Sequence, residues 1–174
     1  MNSHKVSSAD NQQERLKIVG WIVGFTDGEG CFCISINKNY KAKLGWQVMP
    51  EFVITQGGKS LHSLEFVKKF FNCGRIFVNR RSDNHKENLY RYCVRNLTDL
   101  EEKIIPFFQA NRLKTYKKNS FRIWSQVIKL MKQKRLHLNL IGIEKIARMS
   151  EKINQQKRPK FLESSETICR TPHR

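Results

Sequence analysis

The sequence predicts an α+β fold in which helices cover one face of an antiparallel sheet. Three observations predict it. Apolar periodicity switches from helical to strand spacing at Gly30. Two pairs of alternating strands follow, separated by a helical stripe. Each strand carries one apolar face, which a layer of helices has to cover. The order is helix, two strands, helix, two strands, helices.

Residues 17–27 (KIVGWIVGFTD) are apolar nearly all round, as in a buried helix. Gly20, Gly24 and Asp27 fall at i, i+4 and i+7 and share one stripe. Glycine in an exposed helix costs roughly 1 kcal/mol relative to Ala, so this stripe suits a place where a second backbone comes close. In the first strand Phe32, Ile34 and Ile36 alternate with Cys33, Ser35 and Asn37, and a polar loop over 39–45 bears Asn39 and Lys41. A second strand spans 46–56. Val48, Phe52 and Ile54 point one way, and Gln47, Met49, Glu51, Val53 and Thr55 the other. Ser60 opens a helix striped by Leu61, Leu64, Val67, Phe70 and Phe71. In the second pair of strands Ile76 and Val78 alternate with Arg75, Phe77, Asn79 and Arg81, then Tyr90, Tyr92 and Val94 with Arg91, Cys93 and Arg95. Thr98 or Asp99 is expected to cap a helix through Leu100, Ile104 and Ile105 that ends near Pro106. An amphipathic helix over 116–132 and a last one over 138–153 complete a single domain, 17–154. A flexible arm (1–16) and a loose basic tail (155–174) are expected on either side.

Lys and Arg outnumber Asp and Glu by 33 to 15, a net charge of +18 spread along the chain. Such a field attracts polyanions, with nucleic acid the default partner. The bland alternative is a basic protein of the ribosomal type, which also binds nucleic acid, and charge alone implies no enzyme. The five cysteines (31, 33, 73, 93 and 169) form no CxxC pair and show no zinc-ligand spacing. An odd number without a framework points to a reducing compartment. No run approaches the roughly 18 apolar residues of a membrane helix, and the first sixteen residues lack the apolar core of a secretory signal. No membrane partner is expected.

The polar strand faces suit base readout, because a two-stranded ribbon fits the major groove. They place Cys33, Ser35, Asn37, Asn39, Lys41, Gln47, Met49, Glu51, Arg75, Phe77, Asn79, Arg81, Arg91 and Arg95 as candidate contacts to double-stranded DNA.

Chemistry concentrates in residues 22–30, IVGFTDGEG, where the first helix ends. Asp27 is expected to steady the turn that follows, and Gly28 and Gly30 to allow a sharp bend and a close approach. Glu29 is then an acid at the helix mouth of a strongly basic protein. Beside DNA it needs a cation between itself and the phosphates, and Mg²⁺, which takes one or two carboxylates plus phosphate oxygens, suits that place.

These nine residues resemble the LAGLIDADG motif of homing endonucleases. The resemblance continues through the strand order, PEFVITQ at 50–56, and Lys117 four residues before Phe121, covering roughly residues 17–132. Glu29 stands where Asp is common in that family. The resemblance implies an αββαββα saddle on DNA, with further helices at the C-terminus. Glu29, Gln56 and Lys117 would be catalytic, and Glu29 and the Gly28 carbonyl metal-binding. Lys114 competes with Lys117 for the basic role, and Lys59 is a weaker second contact. Mg²⁺ is the implied cofactor, with Mn²⁺ able to substitute and Ca²⁺ binding without cleavage.

Family motif helices pair, and this sequence holds one motif. The resemblance therefore implies a homodimer through Gly20, Gly24 and Asp27, acting on a pseudo-palindromic site of about 20 base pairs. An organellar intron is the implied source. The competing functions are an RNA maturase and a non-catalytic DNA-binding protein of the same fold.

Overall fold

The computed structural model of the protein describes residues 8–79, 88–153 and 161–162. Helix α1 (Ser8–Glu29) passes directly into strand β1 (Gly30–Lys38). Strand β2 (Trp46–Gly57) returns antiparallel to it, and helix α2 (Leu61–Phe71) leads to β3 (Arg75–Asn79) and β4 (Leu89–Val94). Helical segments α3 (Leu97–Asp99), Leu100–Ile104 and α4 (Ile105–Ala110) follow without a break, then α5 (Lys117–Lys134) and α6 (Leu140–Glu151). The sheet order is β1-β2-β4-β3, with every neighbouring pair antiparallel. The mixed helix-and-sheet architecture expected from the alternation is present.

The core lies between this sheet and the helices. Phe32 is its centre, with ring centroids at 5.1 Å from Phe52, 5.4 Å from Phe108, 5.2 Å from Phe121 and 5.1 Å from Trp124. These rings come from β1, β2, α4 and α5, so the cluster ties both halves of the chain to one sheet. Aromatic pairs in such edge-on and stacked geometries add about 0.5–1.5 kcal/mol each beyond the area they bury.

The helix-to-strand switch depends on Gly30. A Cβ there would lie 2.6 Å from Thr26 Cγ2 and 2.8 Å from Thr26 O, so a side chain would push β1 off the helix end. Gly74, at φ +78°, plays a different part. It makes the left-handed turn into β3, and a Cβ would meet the Tyr92 ring at 2.7 Å.

Four expectations about caps, helix ends and the terminal segments differ from the structure. The arm is not wholly irregular, since α1 begins at Ser8, and residues such as Gln12, Gln13 and Glu14 have good helix propensity and extend it. Asn96, not Thr98 or Asp99, is the cap, and its Oδ1 accepts from Thr98 N and Asp99 N. The helix does not stop near Pro106 but widens into a π-helical stretch, Leu100–Ile104, and continues to Ala110. Proline cannot donate to the preceding turn, and the wider winding accommodates that break in the hydrogen-bond ladder. Finally, Phe161 and Leu162, within the expected loose tail, are buried, with the Phe161 ring edge-on to Trp46 at 5.1 Å.

Candidate active site and nucleic-acid interface

The last carbonyls of an α-helix have no partner within it. Helix α1 ends with no basic residue in its final turn and no intervening loop before β1. Lys117, at the start of α5, supplies what is missing. Its Nζ donates to Thr26 O (3.2 Å), Asp27 O (2.9 Å) and Gly28 O (2.7 Å). An ammonium at a helix C-terminus also meets the negative end of the helix dipole.

Asp27 forms the other half of the latch. Its carboxylate accepts from Lys114 N (2.7 Å), Thr115 N (3.2 Å) and Thr115 Oγ1 (2.7 Å). Burial works against its charge, but these donors and the nearby Lys117 outweigh that and hold its pKa below the usual value. Two expectations are corrected here. Asp27 steadies a loop 87 residues away, not the turn that follows it, and its carboxylate is committed within the chain, not offered along the glycine stripe. Charge-assisted bonds to backbone N–H groups explain why the carboxylate turns inward.

The motif acid, Glu29, is exposed, as is Gly28, where nothing lies within 4 Å of a Cβ position. Gly30 pairs with Ile54, so Gln56, two residues further along β2, extends past the start of β1 on the same sheet face as Ile54. Glu29, Gln56 and Lys117 thus gather at one end of the sheet. Of the competing lysines, Lys117 brings its ammonium to the motif, whereas Lys114 contributes its backbone N–H. Lys59 sits in the exposed turn Gly58–Ser60.

Among the described residues no three His, Cys, Asp or Glu side chains cluster as a metal site. The hard oxygens at the motif, the Glu29 carboxylate and the Gly28 carbonyl, match the donors Mg²⁺ prefers, with water and phosphate filling the remaining positions. The donor set fits such an ion with the Gly28 carbonyl shared with, or released by, the Lys117 ammonium, which holds it at 2.7 Å, and with ligands from outside this chain joining it.

Helix α1 buries one stripe only, through Ile22 and Thr26, both 0% exposed. Gly20 and Gly24 are exposed and have nothing within 4 Å of their Cβ positions. The expectation of a helix buried all round is corrected: within this chain the glycine stripe is an open surface. Trp21 beside it is 42% exposed, stacked on Phe25 at 4.9 Å and edge-on to Phe66 at 5.3 Å.

The sheet face away from the helices is polar and open. Ser35, Asn37, Gln47, Met49, Arg75, Phe77 and Asn79 are exposed or half-buried along it. At its rim Asn39 Nδ2 donates to Gln47 Oε1 (3.0 Å) and Lys41 N donates to Asn39 Oδ1 (3.0 Å), which stiffens the β1–β2 loop. Arg81 lies outside the described residues.

Glu51 departs from expectation. It is 4% exposed, and its carboxylate is paired with Arg91 Nη2 (2.8 Å) and with Arg95 Nε. Burial would raise its pKa, but Arg95 and then Arg91 outweigh burial and hold it below the ordinary value. As a direct base contact it is ruled out by that enclosure. Cys31 and Thr55 lie on the same face, in pairing register with Val53 and Arg91, although the set of DNA contacts named from the sequence omits both. The alternation that selected Cys33 and Gln47 was the available signal. Cys31 is exposed, and its interaction with the neighbouring Cys33 thiol, with help from Lys117 and Arg91, outweighs partial desolvation of its sulfur and brings its pKa down to about 7.

This fold and motif define a class, and the chain belongs to the LAGLIDADG endonuclease family, whose characteristic sequence matches residues 22–128. It is 32% identical over 136 residues to "Probable intron-encoded endonuclease 2" of Neurospora crassa, covering 77% of this chain and 28% of that protein. The chain spans about a quarter to a third of the length of curated relatives such as this one. Among solved structures, the homing endonuclease I-TnaI is similar with TM-score 0.73 and 32% identity, over 86% of this chain and 97% of that one. I-SmaMI bound to an uncleaved DNA target in the presence of calcium ions matches with TM-score 0.69 and 28% identity, over 78% of this chain and 44% of that one.

Proposed function

We propose that the protein is a site-specific homing endonuclease that cuts double-stranded DNA as a twofold homodimer with divalent metal, and that it comes from an organellar intron. The observation that carries this reading is the gathering of Lys117 Nζ onto the carbonyls that end the motif helix, beside exposed Glu29. The family relationship supports it, as does the I-SmaMI complex with DNA and calcium.

In this reading Glu29 and the Gly28 carbonyl hold Mg²⁺ or Mn²⁺, and Ca²⁺ binds there without cleavage. Bound metal supplies activation of water and stabilisation of the leaving oxygen. Lys117 sets a positive charge beside the phosphate, where charge develops, and Gln56 orients water. The exposed Gly20–Gly24 stripe receives the same stripe of a second copy in an isologous contact. That contact brings two Glu29 side chains to the dyad. The paired open faces then track a roughly palindromic site of about 20 base pairs.

The test selects duplexes from a randomised library in Ca²⁺, then adds Mg²⁺ to the enriched pool. The expected result is cleavage at one sequence by the wild type, none by Glu29→Gln with binding retained, and slowed cutting by changes at Gln56 or Lys117. Wild-type-like cutting by Glu29→Gln sinks the site assignment. Selective binding without any cutting by the wild type supports the non-catalytic DNA-binding reading, and selective capture of structured intron RNA supports the maturase. Gly24→Leu is expected to separate the helices, giving monomers by light scattering and loss of double-strand cuts. Unchanged assembly would remove the dimer contact from the stripe.

A further inference from the structure

Glu51 is a buried acid at the centre of a face otherwise built to attract phosphate. Its two oxygens are satisfied symmetrically. Oε2 accepts from Arg91 Nη2 (2.8 Å) and Cys33 Sγ (3.8 Å), and Oε1 accepts from Arg95 Nε and Cys93 Sγ (3.7 Å). Cys33 faces Glu51 across the β1–β2 ladder, and Arg95 lies one step beyond the Phe52–Val94 pair, so the sheet register brings all five residues together.

Arg91 and Arg95 stand four residues apart, about 13 Å along an extended chain. One carboxylate nevertheless draws both guanidiniums to its two oxygens, and so to within a few ångströms of each other. Arg95 donates through Nε, which leaves its two terminal nitrogens outside the pair, and its guanidinium lies over the Phe77 ring at 5.5 Å. The side chains of Arg91 and Arg95 remain 35% and 47% exposed. An arginine held at its Nε edge and on one ring face has already lost most of its rotamer freedom, so little remains to be lost when the terminal nitrogens bind.

We propose that Glu51 is a positioning residue that locks Arg91 and Arg95 into a paired reading head for adjacent base positions of the DNA site, with guanine the preferred base. Guanine offers N7 and O6 acceptors in the major groove, the pair that the two terminal nitrogens of Arg95 match in a bidentate contact, while Arg91, whose Nη2 is held by Glu51, presents its remaining donors to the neighbouring position. The buried anion does not touch DNA. Its charge is overcompensated by two cations, so the unit keeps a net positive charge toward phosphate. This deepens the endonuclease reading and rests on the open face being the DNA surface.

The probe is the same randomised duplex library, with wild-type protein, Glu51→Gln and Arg95→Lys compared in Ca²⁺ at one salt concentration. Wild type should enrich guanine at one or two contiguous positions per half-site. Glu51→Gln should lose that preference by on the order of tenfold at those positions, with a smaller loss of total affinity. Arg95→Lys retains the charge and the partner but not the fork, and it should erase guanine at the same positions even if Glu51→Gln folds poorly. A purely structural role for Glu51 predicts uniform weakening with an unchanged base profile, and that outcome, or a wild-type profile from Arg95→Lys, overturns the proposal. If the wild type enriches no sequence, the site-specific reading itself fails, which is a different result.

Discussion

The two faces of the one sheet are held by opposite physics. The helix-covered face is an aromatic cluster around Phe32, fully enclosed and without directional charge. The open face has a buried centre too, but that centre is a carboxylate among arginines and thiols, with Val53 and Cys93 closed in beside it. Enclosure on the first face follows from apolar area removed from water. On the second it follows from pairing, because a buried charge is tolerated only when it is neutralised and hydrogen-bonded. One face can therefore be altered only at the expense of the fold, whereas the rim of the other can change its binding properties with the fold intact.

Substitution at the centre of the covered face should have the largest effect. Phe32→Ala removes a ring that four others contact, and a loss of about 3–5 kcal/mol is expected from urea unfolding. A loss under about 1 kcal/mol would mean that the aromatic cluster is not what holds the sheet to the helices.

Acid should act on the open face next. The folded-state pKa of Glu51 lies below its ordinary value of 4.5. Its stabilisation is therefore fully present above that value and is lost as pH falls through the folded-state pKa. Wild type and Glu51→Gln should differ in urea midpoint near neutral pH and converge on acidification below 4.5. A gap that stays constant with pH would mean that the ion pairs with Arg91 and Arg95 contribute nothing.

At the rim, Arg75→Ala and Asn37→Ala should leave stability within about 0.5 kcal/mol while relaxing base preference by ~1–3 kcal/mol at one or two positions per half-site. Uniform affinity loss across sequences would instead make these side chains phosphate contacts. The smallest effect concerns the thiols. With a pKa of about 7, Cys31 should be alkylated before Cys33, Cys73 and Cys93 at neutral pH, as read by peptide mass spectrometry. First reaction at Cys93, which is buried, would contradict the enclosure described for that face.

Local pattern was enough to read the strands, their apolar faces and the motif. Period-two alternation named Phe32, Ile34 and Ile36 as inward, and all three are buried. The helical stripe of α5 named Phe121, Trp124, Val127, Ile128 and Met131, and they are buried as well. The sequence GFTDGEG marked the end of the first helix, and Glu29 is its last residue. Side-chain period and turn chemistry are properties of neighbouring residues, so a single sequence carries them. The latch formed by Asp27 and the Lys117 ammonium, and the two arginines that pair with Glu51, were not legible, because in each case the partner lies 40 or more residues away and is chosen by how the elements pack. Alternation put Glu51 on the open face correctly but could not say that Arg91 and Arg95 would close over it. The same limit applies to Pro106, whose break the packing of Ile104, Ile105 and Phe108 overrides, and to Phe161 and Leu162, whose burial depends on Trp46 being there to meet them. By itself the sequence determined which residues face which way along the strands and along α5, though not along α1. The tertiary structure decided which charges meet, because pairing across the sheet depends on register and not on distance along the chain.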